Sequence, residues 1–90
     1  MNLPPPPAEL QQALRLADFA NAASMHALEF AVRAYARALR AATATPWLVA
    51  STVRALVDDS LPLRVVPIRT SEDRTRLLAL AADWCAASGS

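Results

Sequence analysis

Apolar side chains recur through this chain at the three- and four-residue spacing of an α-helix, and the first such segment follows a run of prolines. The prolines at positions 4–7 stay extended and cannot enter a helix interior, so residues 1–7 are predicted to be extended. Between residues 8 and 20 one face collects Leu10, Ala13, Leu14 and Ala17, and the opposite face collects Gln11, Arg15 and Asp18. This pattern predicts an amphipathic first helix with a polar back.

The second segment, residues 24–42, separates apolar from basic side chains around the helix. At 100° per residue one narrow arc contains Leu28, Val32, Tyr35 and Leu39, and the other side contains His26, Arg33, Arg37 and Arg40. Asn21 is suited to end the first helix and Ser24 to cap the second, although one continuous helix over residues 8–42 is the alternative. We favour a break, because a lone long helix would have no second layer to pack against.

Start and stop signals frame two further helices. Thr45 suits an N-cap and Pro46 a first helical position, so a third helix is predicted over residues 47–57. It is expected to stop at Asp58 and Asp59, because acids at a helix C-terminus oppose the macrodipole. Residues 71–86 form the predicted fourth helix, with a capping box begun by Thr70 and an apolar stripe of Leu77, Leu80, Ala81 and Trp84; Gly89 lies past its end.

Between the third and fourth helices, residues 61–69 carry prolines at positions 62 and 67 with β-branched residues between them. Proline is excluded from helix interiors and from central strands, so this segment is predicted to be an extended arm. Because the arm is apolar, we expect it to lie in a groove of its own chain or of a partner subunit.

The composition favours an all-α fold in one domain, residues 1–90. Apolar residues make up 54% of the chain, and the sequence has one glycine. We expect three to four helices: an antiparallel helical hairpin, a short third helix and the C-terminal helix. A chain this short buries a limited fraction of its surface, so we further expect it to pair with a second copy as a dimeric four-helix bundle.

Several functional classes fit the sequence poorly. No run of apolar residues is long enough for a membrane span, and the N-terminus lacks the basic and apolar regions of a secretory signal. One histidine and one cysteine make neither a convincing catalytic pair nor a zinc site, and Cys85 is expected to be a buried structural thiol. We therefore expect no enzyme activity, no cofactor and no metal, and a cytoplasmic protein.

The arginines carry the best functional signal. All nine basic residues are arginine, and four of them fall between residues 30 and 57, where the sequence has no acid. The guanidinium fork suits phosphate oxygens. His26 to Arg40 spans about 21 Å of helix at 1.5 Å per residue. Such a face can grip the phosphates of duplex RNA without reading sequence, or it can be a solvated helix surface; periodicity alone leaves both open.

Three stretches resemble the small nodavirus suppressors of RNA silencing: "PPAELQQAL", "RALRAATATPWLVASTVRAL" and "TSEDRTRLLAL". Arg37, nine positions before Pro46, matches a position that contacts RNA in that family. The resemblance implies an all-α homodimer that binds double-stranded RNA in the host cytoplasm and shields viral RNA from silencing. In such a protein the dimer core would be packed by Leu28, Val32, Tyr35 and Leu39. The RNA would be bound by Arg33, Arg37, Arg40, Arg54 and His26.

The competing interpretation is a helical protein-interaction module of bacterial or phage origin, either a small regulator or a phasin-like coat on an apolar surface. It explains the alanine content equally well. A surface coat needs a broad apolar face along every helix, whereas the second helix here divides into apolar and basic halves.

Overall fold

The all-α prediction is confirmed by a computed structural model, which describes residues 3–42, 44–68 and 70–87. Those residues form four helices and no strand: α1 (Ala8–Leu16), α2 (Ala22–Ala41), α3 (Pro46–Ser60) and α4 (Ser71–Ala87), with a short 3₁₀ turn at Leu61–Leu63. Arg69 in the predicted arm and Gly89 beyond the last helix lie outside the described residues.

The chain does break between the first two helices, but Asn21 rather than Ser24 caps α2. The Asn21 side chain accepts the Ser24 backbone N–H at 3.2 Å. The Ser24 hydroxyl instead joins α2 to the connection between the two helices. It accepts the Asp18 N–H at 3.0 Å and donates to the Asn21 carbonyl at 2.8 Å. At the far end of α2, the Tyr35 hydroxyl donates to the Pro4 carbonyl at 2.8 Å. These contacts at both ends make α1 and α2 an antiparallel hairpin.

The first helix ends at Leu16, four residues earlier than predicted, and a distant arginine holds that end. Ala17 is extended, and the buried Arg64 guanidinium donates to the carbonyls of Leu14, at 2.9 Å, and Ala17. Its Nε donates to the Val66 carbonyl at 3.2 Å. Arg64 therefore satisfies carbonyls at the C-terminal end of α1, which have no partner within the helix.

The third helix is longer than predicted and continues through both aspartates to Ser60. Asp58 accepts a hydrogen bond from Arg74 of α4 at 2.8 Å, and this ion pair offsets the unfavourable position of an acid at a helix C-terminus. At the other end, Thr45 caps α3 as predicted by accepting the Leu48 N–H at 3.2 Å. Thr70 likewise accepts the Asp73 N–H, at 3.1 Å, at the start of α4.

Only part of the predicted arm is extended. Its first residues form the 3₁₀ turn, and the chain becomes extended at Arg64. The Val65 N–H donates to the Arg15 carbonyl at 2.9 Å, so the segment lies against the end of α1 in the same chain. Burial of Arg64 fixes this course, because its guanidinium can reach the α1 carbonyls only from a segment that packs there.

The four helices enclose one core, with α1 on α2, α2 on α4, α4 on α3 and α3 on α1. The apolar arc of α2 lies at its centre: Leu28, Val32, Tyr35 and Leu39 are each at most 3% exposed. The chain's own helices cover these side chains, so a second copy cannot reach them while the bundle is intact. A charge at Leu39 would therefore disturb the fold itself rather than a subunit interface.

We expect Arg64→Met to lower the free energy of unfolding by about 2–4 kcal/mol, because methionine fills the space but leaves buried carbonyls unpaired. Arg64→Lys should recover only part of this loss, since an ammonium cannot form the same fork. Urea denaturation followed by circular dichroism measures the change. Arg37→Gln is the matched control at an exposed arginine and should shift stability by no more than about 0.5 kcal/mol. Equal stability of Arg64→Met and the parent would contradict the role given to Arg64.

Stability should also fall at alkaline pH. Burial raises the pKa of the Cys85 thiol above its ordinary value of 9.0, against a weaker lowering by Arg40, and burial raises the pKa of Tyr35 above 10.0. The unfolded chain therefore releases these protons at lower pH than the folded chain, so the free energy of unfolding decreases as pH rises past 9.0. Denaturation across this range should show a shallower decrease for Cys85→Ala; an unchanged decrease would exclude the thiol as a contributor.

Candidate nucleic-acid interface

The outer face of α2 presents Arg37 to solvent. Its side chain is exposed and makes no hydrogen bond or ion pair with any residue that the structure describes. Arg33 lies about one turn before it and Arg40 about one turn after it, both partly buried at the edge of the core. The helix therefore holds three guanidinium groups in one row, which we call the arginine row, with the most accessible group in the middle.

An acid missed by the sequence analysis borders this row. Glu29 immediately precedes the acid-free stretch, and its carboxylate contacts Arg33 at 3.1 Å across one helical turn. The pair is recognisable from its i, i+4 spacing alone. Arg40 lies close enough to Cys85 to lower the pKa of that thiol. The three arginines thus have different surroundings, although they share one side of α2.

His26 lies at the rim of a different feature, a 370 Å³ cavity between α2 and α4. Glu29, Arg76 and Trp84 also line this cavity. The Arg76 guanidinium stacks over the ring of Phe19, another lining residue, at 4.4 Å from its centre. His26 therefore shares its surroundings with apolar side chains, an acid and one arginine of α4, rather than with the arginines of α2.

Arg54 lies on a different helix from the arginine row. It lies on α3 and lines a 510 Å³ groove between α3 and α4, whose lining includes no residue of α2. Trp47 lines the same groove and is 76% exposed. The sequence pattern placed Trp47 at the start of the third helix and gave it no role. Its place in the first turn beside Pro46, before the core positions of α3 begin, is the signal that could have marked it as exposed.

A third side of α2 is formed mostly by alanine and borders the arginine row at Arg37. Phe30 is 72% exposed, and the surrounding helix surface is alanine. We call this set the alanine face; it comprises Ala23, Ala27, Phe30, Ala34 and Ala41, all exposed. The spacing alternates between three and four residues, apart from one gap at Arg37, as in the contact positions of a coiled coil. The division of α2 into apolar and basic halves did not anticipate this surface.

Among the described residues, no helix is both long and apolar enough to cross a membrane, and no cluster of three potential metal ligands occurs. Comparison with protein-family models, curated proteins and solved structures finds no match for this chain. The chemistry of the molecule's own surfaces is therefore what points to its function.

Proposed function

We propose that the protein binds the phosphate backbone of double-stranded RNA through the arginine row of α2, independently of sequence. In this role it coats duplex RNA in the host-cell cytoplasm and shields viral RNA from silencing nucleases. The observation that carries the proposal is Arg37, which is exposed and without a partner among the described residues, with an arginine one turn away on each side.

Duplex RNA suits a rigid row of arginines. Its major groove is too deep and narrow for side chains to read, so proteins contact phosphates and 2′-hydroxyl groups. A helix holds its side chains at a fixed spacing, and each guanidinium can grip phosphate oxygens with two parallel hydrogen bonds. The surface then recognises the shape and charge of the duplex rather than its bases.

The ion pair between Glu29 and Arg33 does not exclude Arg33 from binding. The Arg33 side chain is 39% exposed and the Glu29 side chain 33%. A partly exposed i, i+4 pair contributes only about 0.3–0.5 kcal/mol, so a phosphate can compete with Glu29 for the guanidinium. Glu29 nevertheless reduces the positive charge of the row, and one copy of α2 is a modest phosphate-binding surface.

A second copy would strengthen this surface, and the alanine face is the part of α2 available to it. Two α2 helices packed antiparallel on these faces would set Phe30 of each copy against the small Ala34 of the other. The two-fold axis of this dimer is perpendicular to the plane that contains both helices. Rotation about it reverses the direction of the helix but leaves the same surface of each copy on the same side of that plane. Arg33 and Arg40 of both copies would then lie on one side of the homodimer, with Arg37 of each copy at the border between that side and the interface. More phosphates would be neutralised, and affinity would depend more steeply on salt.

The second candidate is a helical protein-interaction module. Exposed apolar side chains at the end of α1 and in the segment 61–69 favour this module. Leu16, Leu63, Val65 and Val66 are 41–68% exposed. A module of this kind would bind a partner protein and show no affinity for duplex RNA, so the RNA-binding experiment separates the two functions.

Arg37→Gln should weaken binding to blunt RNA duplexes of unrelated sequence by roughly tenfold, because a charged hydrogen bond to phosphate is lost at the centre of the row. The loss should be uniform across sequences, and the salt dependence should become flatter. Fluorescence anisotropy at several salt concentrations measures both effects.

Arg15→Gln is the matched control for this experiment, since Arg15 is an exposed arginine on α1. It should bind nearly as tightly as the parent. Equal affinity of the parent, Arg37→Gln and Arg15→Gln, or binding by none of them, would mean that the arginine row is only a solvated helix surface.

Phe30→Asp should convert the homodimer into a monomer without loss of helix content, because the side chain is 72% exposed in the single chain. Sedimentation equilibrium at micromolar concentration measures the mass, and circular dichroism the helicity. Val65→Asp, at a side chain 68% exposed on the arm, is the control and should stay dimeric. A monomeric parent protein would refute the dimer.

A further inference from the structure

The groove between α3 and α4 is a second surface with its own chemistry. Its 510 Å³ is lined on the α3 side by Trp47, Ala50, Ser51 and Arg54, and on the α4 side mainly by Arg74, Thr75, Leu78 and small alanines. We propose that this groove binds unpaired nucleotides of a single RNA strand, with a base stacked on Trp47 and a phosphate held by Arg54. The proposal goes beyond duplex binding, because it uses none of the α2 residues.

The charges of the groove suit a phosphate chain. No acidic side chain lines it, and two arginines do. Arg74 is bound to Asp58, whereas Arg54 is exposed and has no hydrogen bond or ion pair with the described residues. The α3 helix begins at Pro46, next to Trp47, so the positive end of its dipole adds to the same end of the groove.

The apolar part of the groove suits a base. The Trp47 ring is 76% exposed, and the alanines around it leave room over the neighbouring surface. Single-strand binding sites combine an aromatic ring, on which a base of any identity stacks, with a positive groove that follows the backbone. Arg54 lies seven residues after Trp47, about 10.5 Å along the helix. A short stretch of the RNA sugar–phosphate backbone can bridge that distance.

A helix from an acidic protein is the rival occupant, since alanines also permit close helix packing. The polar side chains favour the nucleotide. The Ser51 and Thr75 hydroxyls line the groove and donate to carbonyls of their own helices, which leaves their oxygen lone pairs available to accept. A ribose 2′-hydroxyl or the amino group of a base can donate to such oxygens. An apolar helix face packed into the groove would cover both hydroxyl oxygens without donating a hydrogen bond to either.

The test uses a fluorescein-labelled single-stranded oligouridylate and the full chain, with binding followed by anisotropy. Trp47→Leu should reduce affinity roughly tenfold through the loss of stacking, and Trp47→Phe should retain part of it. Arg54→Gln should reduce affinity and flatten the salt dependence by about one phosphate contact. Binding should also quench the fluorescence of exposed Trp47, a signal absent from Trp47→Leu, whereas Trp84 is buried.

Arg15→Gln is the control for this groove, since Arg15 is an exposed arginine on α1 that does not line it, and it should bind the oligouridylate as the parent does. Failure of duplex binding with retained oligouridylate binding would overturn only the proposed function. Equal oligouridylate affinity of the parent and Trp47→Leu, or no binding by the parent, would overturn the groove assignment. Binding of an amphipathic leucine–glutamate peptide that depends on Trp47, without binding of the oligouridylate, would overturn it in favour of a protein helix.

Discussion

The buried guanidinium of Arg64 is the contact on which the arrangement of the chain depends. It joins the arm to the end of α1 by donating to the carbonyls of Leu14 and Ala17, about fifty residues away in sequence. Burial lowers its pKa and the nearby Asp18 opposes that shift, yet an arginine stays protonated in a protein. A charge is thus held inside the fold because it satisfies several carbonyls at once. With α1 stopped there, the chain can turn and begin α2 at Ala22.

That turn sets the orientation of α2, and α2 carries most of the molecule's surface chemistry. Its Leu28 side faces the core, the side with Arg33 and Arg40 carries most of the arginine row, and the side with Phe30 carries the alanine face, with Arg37 at the border of the last two. A helix rotated by one third of a turn would expose leucines and bury arginines. The burial of the apolar arc therefore fixes where the guanidinium groups point, so packing and the proposed RNA binding have one physical origin.

Local signals in the sequence were enough to predict the helices and several of their caps. Thr45 and Thr70 act within three residues of the N–H groups that they accept, so spacing alone identified them. Contacts between distant segments were not predictable in this way. The extension of α3 to Ser60 depends on Arg74 of another helix, and the course of the arm depends on Arg64 reaching α1. The same limit applies to Arg54, because only the packing of α3 on α4 places it in a groove with Arg74.

A formal net charge of +1 is compatible with phosphate binding because the acids and arginines are unevenly distributed. Glu29 and Asp58 each contact an arginine, whereas Arg37 and Arg54 have no acidic partner among the described residues. Local charge, and not the total, determines attraction at short range, since salt screens exposed charges beyond about 10 Å. The two arginines also differ in setting: Arg37 stands on a convex helix, and Arg54 lines a groove beside an aromatic ring. A convex row of guanidinium groups can follow the outside of a stiff duplex, while a groove can enclose a flexible strand.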